Sequence, residues 1–142
     1  IIQVVYAETT TKVSTTSSSF VDTGITATIT PSSNSSKILV VASVQWMLYR
    51  EATETSGSFK LLRGSTAIST HANAVHIEAG VTSQSRIISE GGYPIQVLDS
   101  PATTSATTYK VQFATAHTGN SASMDVNREN APGCITLYEV ST

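Results

Sequence analysis

Three histidines, one cysteine and a thin scatter of carboxylates are the first side chains to test for chemistry in this chain. His71 and His76 lie five residues apart. On a strand that spacing puts them on opposite faces, because side chains alternate with a period of two. They make a poor metal pair, and no His-x-His pair stands in for them. Glu51 and Glu54 share one polar loop, without the fixed separation and apolar surroundings that two-carboxylate hydrolysis of a glycosidic bond requires. Serine is abundant, yet none sits in a Gly-x-Ser-x-Gly elbow, and no glycine-rich loop leads from a strand into a helix. Cys134 has no partner for an intrachain disulfide, and its alternating apolar segment marks it as a small buried hydrophobe. The expectation is no catalytic residue, no metal and no cofactor, hence a protein that is not an enzyme.

Binding chemistry is better represented. The segment "VNRENAPG" (126–133) gathers Asn127, Arg128, Glu129 and Asn130, planar hydrogen-bonding groups suited to glycan hydroxyls. Tyr93, Trp46, Tyr49 and Arg50 fall near expected strand ends, where an aromatic ring can stack on a sugar and keep one edge wet. Asn127, Arg128, Glu129, Asn130 and Tyr93 are therefore the candidate ligand-binding residues. The plainer reading, a solvated loop that caps the fold, ranks ahead of the ligand site.

The elements that would carry these groups are strands. Apolar residues follow period two almost throughout, and no capped stretch holds a helical period. Ile2–Tyr6 opens the pattern, and a Thr/Ser-rich loop follows it up to Phe20. Ile25, Ala27 and Ile29 then alternate with Thr26, Thr28 and Thr30 until Pro31 and "PSSNSS" end the run. Residues 37–49 form the most hydrophobic strand. Ile38, Val40, Ala42, Val44, Trp46 and Leu48 share one face, and Leu39, Val41, Met47 and Tyr49 make the other largely apolar as well. A strand apolar on both faces is buried on both. Either Leu39, Val41, Met47 and Tyr49 meet neighbouring subunits, or this is an ordinary core strand. "REATETSG" (50–57) reads as a loop and 58–70 as a hairpin turning at Gly64–Ser65. Residues 71–85 hold a strand signal near Val75–Ile77 and a loop. "RIISEGG" and "YPIQVLD" flank a break at Gly91–Gly92, and "SPATTSA" (100–106) links two further strands. Segments around 109–113, 122–126 and 134–140 complete the set. Many short strands with turn chemistry between them predict an all-β antiparallel sandwich, residues 1–142 forming a single domain.

Composition narrows the role. Charged residues are 13% of the chain and the net charge is −2, with no basic run. That excludes a binder of nucleic acid, whose affinity rests on Lys and Arg neutralising phosphates. No stretch approaches the length of apolar residues that inserts into a membrane as a helix. Ser and Thr supply the uncharged surface instead, Thr on pleated strands and Ser in turns. The first residue is Ile, which suggests the C-terminal domain or a processed chain of a longer protein.

The order of segments, "SFVDTGITATITPSSNSSKILVVASV", "LLRGSTAI", "LDSPATTSATTYKVQF" and "ITLYEV", resembles a recurrent domain of tailed-bacteriophage virion proteins, found in tail fibres and head-decorating fibres. The resemblance runs from about residue 3 to residue 140, most specifically over 29–40 and 98–112, and least over 50–58 and 114–133. It implies a C1q/TNF-like jelly roll that assembles as a homotrimer. It implies a non-enzymatic structural role on the exterior of a phage particle, alongside other virion proteins of a fibre stalk or capsid. Attachment to a host-surface glycan is the leading role, decoration or cementing of a capsid the alternative, and a secreted lectin-like C1q module a further one. On the trimer reading, Leu39, Val41, Met47 and Tyr49 lie near the axis.

Overall fold

The computed structural model describes residues 1–80 and 86–142. Ten strands follow one another: β1 (Gln3–Thr9), β2 (Val13–Thr15), β3 (Val21–Ile29), β4 (Lys37–Arg50), β5 (Glu54–Arg63), β6 (Thr66–Glu78), β7 (Ile87–Asp99), β8 (Thr107–Thr115), β9 (Ser123–Val126) and β10 (Gly133–Val140). A single turn of 3₁₀ helix, Arg128–Asn130, lies between the last two.

Two antiparallel sheets result. In the first, β10 pairs with both β1 and β4, and β7 pairs with the far side of β4. The second half of β4, Trp46–Tyr49, exchanges β10 for β9, which β2 extends. The second sheet has the order β3-β8-β5-β6. With the short β2 and β9 set aside, eight strands divide between the sheets in the orders first-eighth-third-sixth and second-seventh-fourth-fifth. That is the double Greek key of a jelly roll.

Period two explains why these residues form these strands. Ile38, Val40, Ala42, Val44 and Leu48 point inward from β4, meeting Ile135 and Leu137 of β10 and Met124 and Val126 of β9. Ile25, Ala27 and Ile29 of β3 and Tyr109, Val111 and Phe113 of β8 come down from the other sheet, with Phe59 and Leu61 of β5 between them. Each fully buried large side chain stabilises the fold by roughly 1.5–3 kcal/mol through area removed from water.

Two of the low-complexity loops are tied down by carboxylates, one nearly buried and one fully buried. Asp99 ends β7, where "SPATTSA" begins. Arg63 Nη1 of β5 donates to both its oxygens at 2.8 Å, and the Tyr109 hydroxyl of β8 donates at 2.7 Å. The loop thus leaves and returns within one charged knot that also joins the two sheets. Burial and the hydrogen bond to Asp99 push the Tyr109 phenol well above its ordinary pKa. At the same end, Glu139 is 1% exposed. It accepts from the Ser32 amide at 2.7 Å and the Ser32 hydroxyl at 2.6 Å. Those donors, with further help from Ser36 and the Ser33 backbone, hold its carboxyl below the usual range. "PSSNSS" is therefore a cradle for a carboxylate.

Four sequence expectations change. β5 starts at Glu54, inside the segment read as a loop. β6 runs unbroken from Thr66 to Glu78, and the loop expected after it falls partly on residues 81–85, outside the described residues. The Thr/Ser-rich stretch after β1 contributes β2. Gly91–Gly92 is not a break: β7 passes straight through, and a Cβ at Gly91 would lie 3.1 Å from the Trp46 indole.

Candidate functional site

The outer faces of the two sheets differ in kind. On the second sheet, Asp22, Gln112 and Lys60 lie side by side across β3, β8 and β5, and Thr28 pairs with Thr108. Asp22 takes hydrogen bonds from Gln112 Nε2 and Lys110 Nζ, which keep its carboxyl below the ordinary value. On the first sheet, register puts Val4, Tyr138, Leu39 and Leu98 in one row across β1, β10, β4 and β7. The next row is Tyr6, Thr136, Val41 and Gln96. Val4, Tyr6 and Leu98 are 54%, 57% and 56% exposed. Ile2 continues the patch beyond β1 and is also exposed. Tyr6 spends its hydroxyl on Glu8 at 2.5 Å, a bond that raises its pKa to about 12 and leaves the ring as apolar surface.

The other half of the same face is a polar cleft. Its volume is about 360 Å³, and Gln45, Glu90, Arg128, Glu129 and Ala131 line it, with Trp46 and Gly91 at its floor, where the register turns the Trp46 indole to the inward face beside Val44 and Leu48. The loop after β9 builds one wall. Asn127 takes a left-handed conformation, φ 56° and ψ 40°, and its amide N–H bonds the carbonyl of Gln45 at 3.0 Å. Its side chain turns inward, where Nδ2 donates to the carbonyls of Thr23 at 2.9 Å and Thr11 at 3.1 Å. Gly133 is required beneath it, since a Cβ there would collide with Asn127 Oδ1 and the Ile25 side chain. With Asn127 as anchor, Arg128 lies across the sheet face. Its Nε is 3.6 Å from Asp125, Nη2 is 3.3 Å from Glu129, and Nη1 reaches Glu90 at 4.0 Å and touches the Met47 sulfur. Asp125, itself nearly buried, also receives Lys12 at 3.1 Å. Glu129 and Asn130 continue the loop with φ of 52° and 61°.

The sequence candidates divide accordingly. Arg128 and Glu129 reach the cleft. Asn127 does not: it is fully buried, and its donors are consumed by the loop it holds, so it is a structural anchor rather than a ligand contact. Asn130 is exposed beyond the cleft lining. Tyr93 sits on the inward face of β7, paired with Val44. Its ring stacks on Phe59 at 5.0 Å and its hydroxyl meets His71 Nδ1 at 3.0 Å, so it closes the β6–β7 edge of the core, away from Arg128. Leu39, Val41, Met47 and Tyr49 all lie on the outer face of β4. Leu39 and Val41 belong to the apolar rows, Met47 lies under Arg128, and Tyr49 pairs with exposed Ile88 and donates to Glu51.

Sequence reasoning missed Gln45, Glu90 and Gly91, which enter the cleft only through the pairing of β4 with β7. It also missed a small constellation on β6, where Ser69 Oγ lies 2.7 Å from His71 Nε2 and Tyr93 backs the other ring nitrogen. The group behind the imidazole is a phenol, so no carboxylate is there to stabilise an imidazolium as in a Ser-His-Asp triad. His76 is exposed and His117 approaches Glu54 at 3.6 Å. Among the described residues no group of three His, Cys, Asp or Glu side chains is placed to hold a metal ion.

No family model matches the chain, and no curated protein matches it. Solved structures give distant likenesses. A chain of infectious bursal disease virus, Gx strain, is 16% identical with a TM-score of 0.41, over 99% of this chain and 37% of that one. A chain of the T13 particle of the same virus is 14% identical with a TM-score of 0.42, over 96% and 35%. The insecticidal delta-endotoxin Cry8Ea1 of Bacillus thuringiensis is 13% identical with a TM-score of 0.40, over 92% and 20%. The chain thus spans well under half the length of these proteins, and likenesses of that size carry no argument about role.

Proposed function

We propose that this domain is a non-enzymatic structural protein of a virion. In this reading it assembles as a homotrimer through the outer face of the first sheet, is displayed on the particle exterior, and attaches the particle to a host-surface glycan. The observation that carries the reading is the asymmetry of the two outer faces. One sheet presents Asp, Lys, Gln and Thr to water, as a solvated face does. The other presents Ile2, Val4, Tyr6, Leu39, Val41, Leu98 and Tyr138, a contiguous apolar surface of the kind that marks an interface. A second copy fits such a face better than a soluble ligand does, because the surface is broad and follows the pleat. The resemblance to C1q/TNF-like virion domains supports three copies about an axis. The polar cleft begins at Gln45, four residues along β4 from Val41 and so about 13 Å beyond the nearer apolar row, which leaves it open when the apolar rows are covered. Three clefts on each trimer, and many trimers on each particle, turn weak contacts into firm attachment.

Light scattering on a sizing column across a dilution series tests the assembly. The expected mass is three times 14.9 kDa, and Leu39→Asp is expected to give a folded species of one third that mass. A wild-type monomer refutes the trimer. Adsorption is tested separately: purified trimer should compete with particles for host cells. Failure to compete, together with binding to capsids that lack the protein, would transfer the role to capsid decoration.

A further inference from the structure

The first sheet ends in two unpaired edges, and from them we propose that β7 of one copy takes β1 of the next as an antiparallel neighbour, head to tail, so that three copies close into a ring. The inference rests on the trimer reading above and names the contact that builds it. Among the described residues β1 pairs with β10 alone and β7 with β4 alone. Their outer sides present unshared N–H and C=O groups, a template for another strand. Ile1, Ile2, Val4, Tyr6, Ile88 and Leu98 are the exposed large apolar side chains among the described residues, and every one lies on or beside these two strands. The free edges of the second sheet differ. β3 exposes Asp22, Thr26 and Thr28, and β6 exposes Thr66, Thr70, His76 and Glu78, none of them large and apolar.

Direction and level both fit. β1 and β4 run one way, β10 and β7 the other. A copy carried round an axis along the strands keeps its direction, so its β1 arrives antiparallel to β7, the pairing whose hydrogen bonds run straight across. The apolar rows set the register. Val4 and Leu98 end the same row, so Val4 of the partner subunit continues it beside Leu98, and Tyr6 of the partner subunit continues the second row beside Gln96. All of β1, Gln3–Thr9, then lies against residues 93–99. Pro94 has no N–H to give, but it falls near the end of that stretch and removes at most one ladder bond. The apolar rows of three copies face a common axis, and the polar second sheets face water. Ile88 and the cleft lie further along β7, outside the paired stretch. Head-to-tail contacts close into a ring when the rotation per copy allows it. Closure leaves neither long edge of the first sheet open, whereas two copies joined β1 to β1 about a two-fold axis would leave both β7 edges bare.

Disulfide trapping tests the contact on the intact chain. Cys134→Ser removes the one native thiol, and Val4→Cys and Leu98→Cys are then introduced together, both at exposed sites. Directly opposed residues on antiparallel strands have Cβ atoms about 4.5–5.5 Å apart, close enough for a disulfide to form with a small adjustment. Circular dichroism of each reduced variant, unchanged from wild type, verifies the fold. After mild oxidation, a denaturing gel without reductant should show the double variant as a covalent trimer of three times 14.9 kDa. Each single variant should stay at one chain, and the two co-expressed should give a covalent dimer. Ile88→Cys in place of Leu98→Cys, about 33 Å along β7, should give no bond. A bond through Gln96→Cys in place of Leu98→Cys supports the same contact in a register slipped by two. A covalent dimer from Val4→Cys alone overturns the proposal by revealing a two-fold contact, and a ladder of species above the trimer overturns ring closure. No covalent species with either partner, from protein that still scatters light as a trimer, removes the edge pairing and keeps the trimer. A protein that scatters light as a monomer removes both.

Discussion

Replacing Asn127 with alanine tests whether the loop over the cleft is held by one buried amide. Two hydrogen bonds, to Thr23 and Thr11, disappear, at about 1 kcal/mol each. The Thr23 carbonyl is left inside without a donor, which adds roughly 1 kcal/mol. Alanine must also adopt the left-handed backbone that Asn127 occupies at φ 56°, a cost of about 1 kcal/mol that asparagine largely avoids. The total is about 3–4 kcal/mol, a fall in midpoint temperature of roughly 12–16 °C for a domain of this size. Asn127→Gly removes the same hydrogen bonds without the backbone penalty and should recover about 1 kcal/mol. Asn127→Asp keeps the shape but turns a carboxylate towards two carbonyls, and should be the least stable of the three at neutral pH. Urea unfolding followed by circular dichroism measures all of them. A loss below 1 kcal/mol for Asn127→Ala would refute the anchoring role, and an Asn127→Gly no more stable than Asn127→Ala would refute the backbone argument.

Other perturbations reach different parts of the fold. Tyr109→Phe should cost about 1.5–3 kcal/mol in denaturant unfolding, because it deletes a buried hydrogen bond to the charged Asp99. Gly133→Ala should cost about 1–3 kcal/mol or more by forcing a methyl into Asn127 and Ile25; a neutral result would mean that β10 shifts freely there. The lowered pKa of Glu139 means that its contribution is present above the ordinary carboxylate range and is lost as pH falls through the depressed folded value. A plot of midpoint temperature against pH should therefore be flatter on its acid side in Glu139→Gln than in wild type, and parallel acid limbs would contradict the cradle described for Ser32.

Much of the architecture is legible because it depends on a local rule. Alternation from Ile25 to Ile29, from Ile38 to Leu48 and from Tyr109 to Phe113 is a property of neighbouring residues, and a half-buried strand enforces it. The two apolar faces of β4 are equally visible, one for the core and one for the outer rows. What escapes is what register creates. Gly91 and Gly92 look like a break until β7 lies against β4, where Gly91 proves to be the space that the Trp46 indole occupies. β6 loses its alternation near Asn73, whose φ of 48° accompanies a slip in the pairing with β5, so a strand there reads as ambiguous. The candidate loop shows the same division. Its hydrogen-bonding residues are evident in "NREN", but the positive φ that turns Asn127 inward and leaves Arg128 over the sheet is set by distant groups, the carbonyls of Thr11, Thr23 and Gln45.

The position of β10 bears on when this fold can form. β10 lies between β1 and β4, and its pairing joins Val4 to Tyr138 and Tyr138 to Leu39. Until Gly133–Val140 docks, β1 and the β10-facing edge of β4 hold their backbone groups open to each other and to any other chain. Closing those ladders needs contacts far apart in sequence, the class of contact that slows folding most. The interval between synthesis of β4 and insertion of β10 is thus a window of vulnerability to misassociation, most dangerous where many copies are made at once. Whatever shortens that window, a chaperone or a neighbouring segment that shields β4, would raise the yield of native protein without adding a single contact to it.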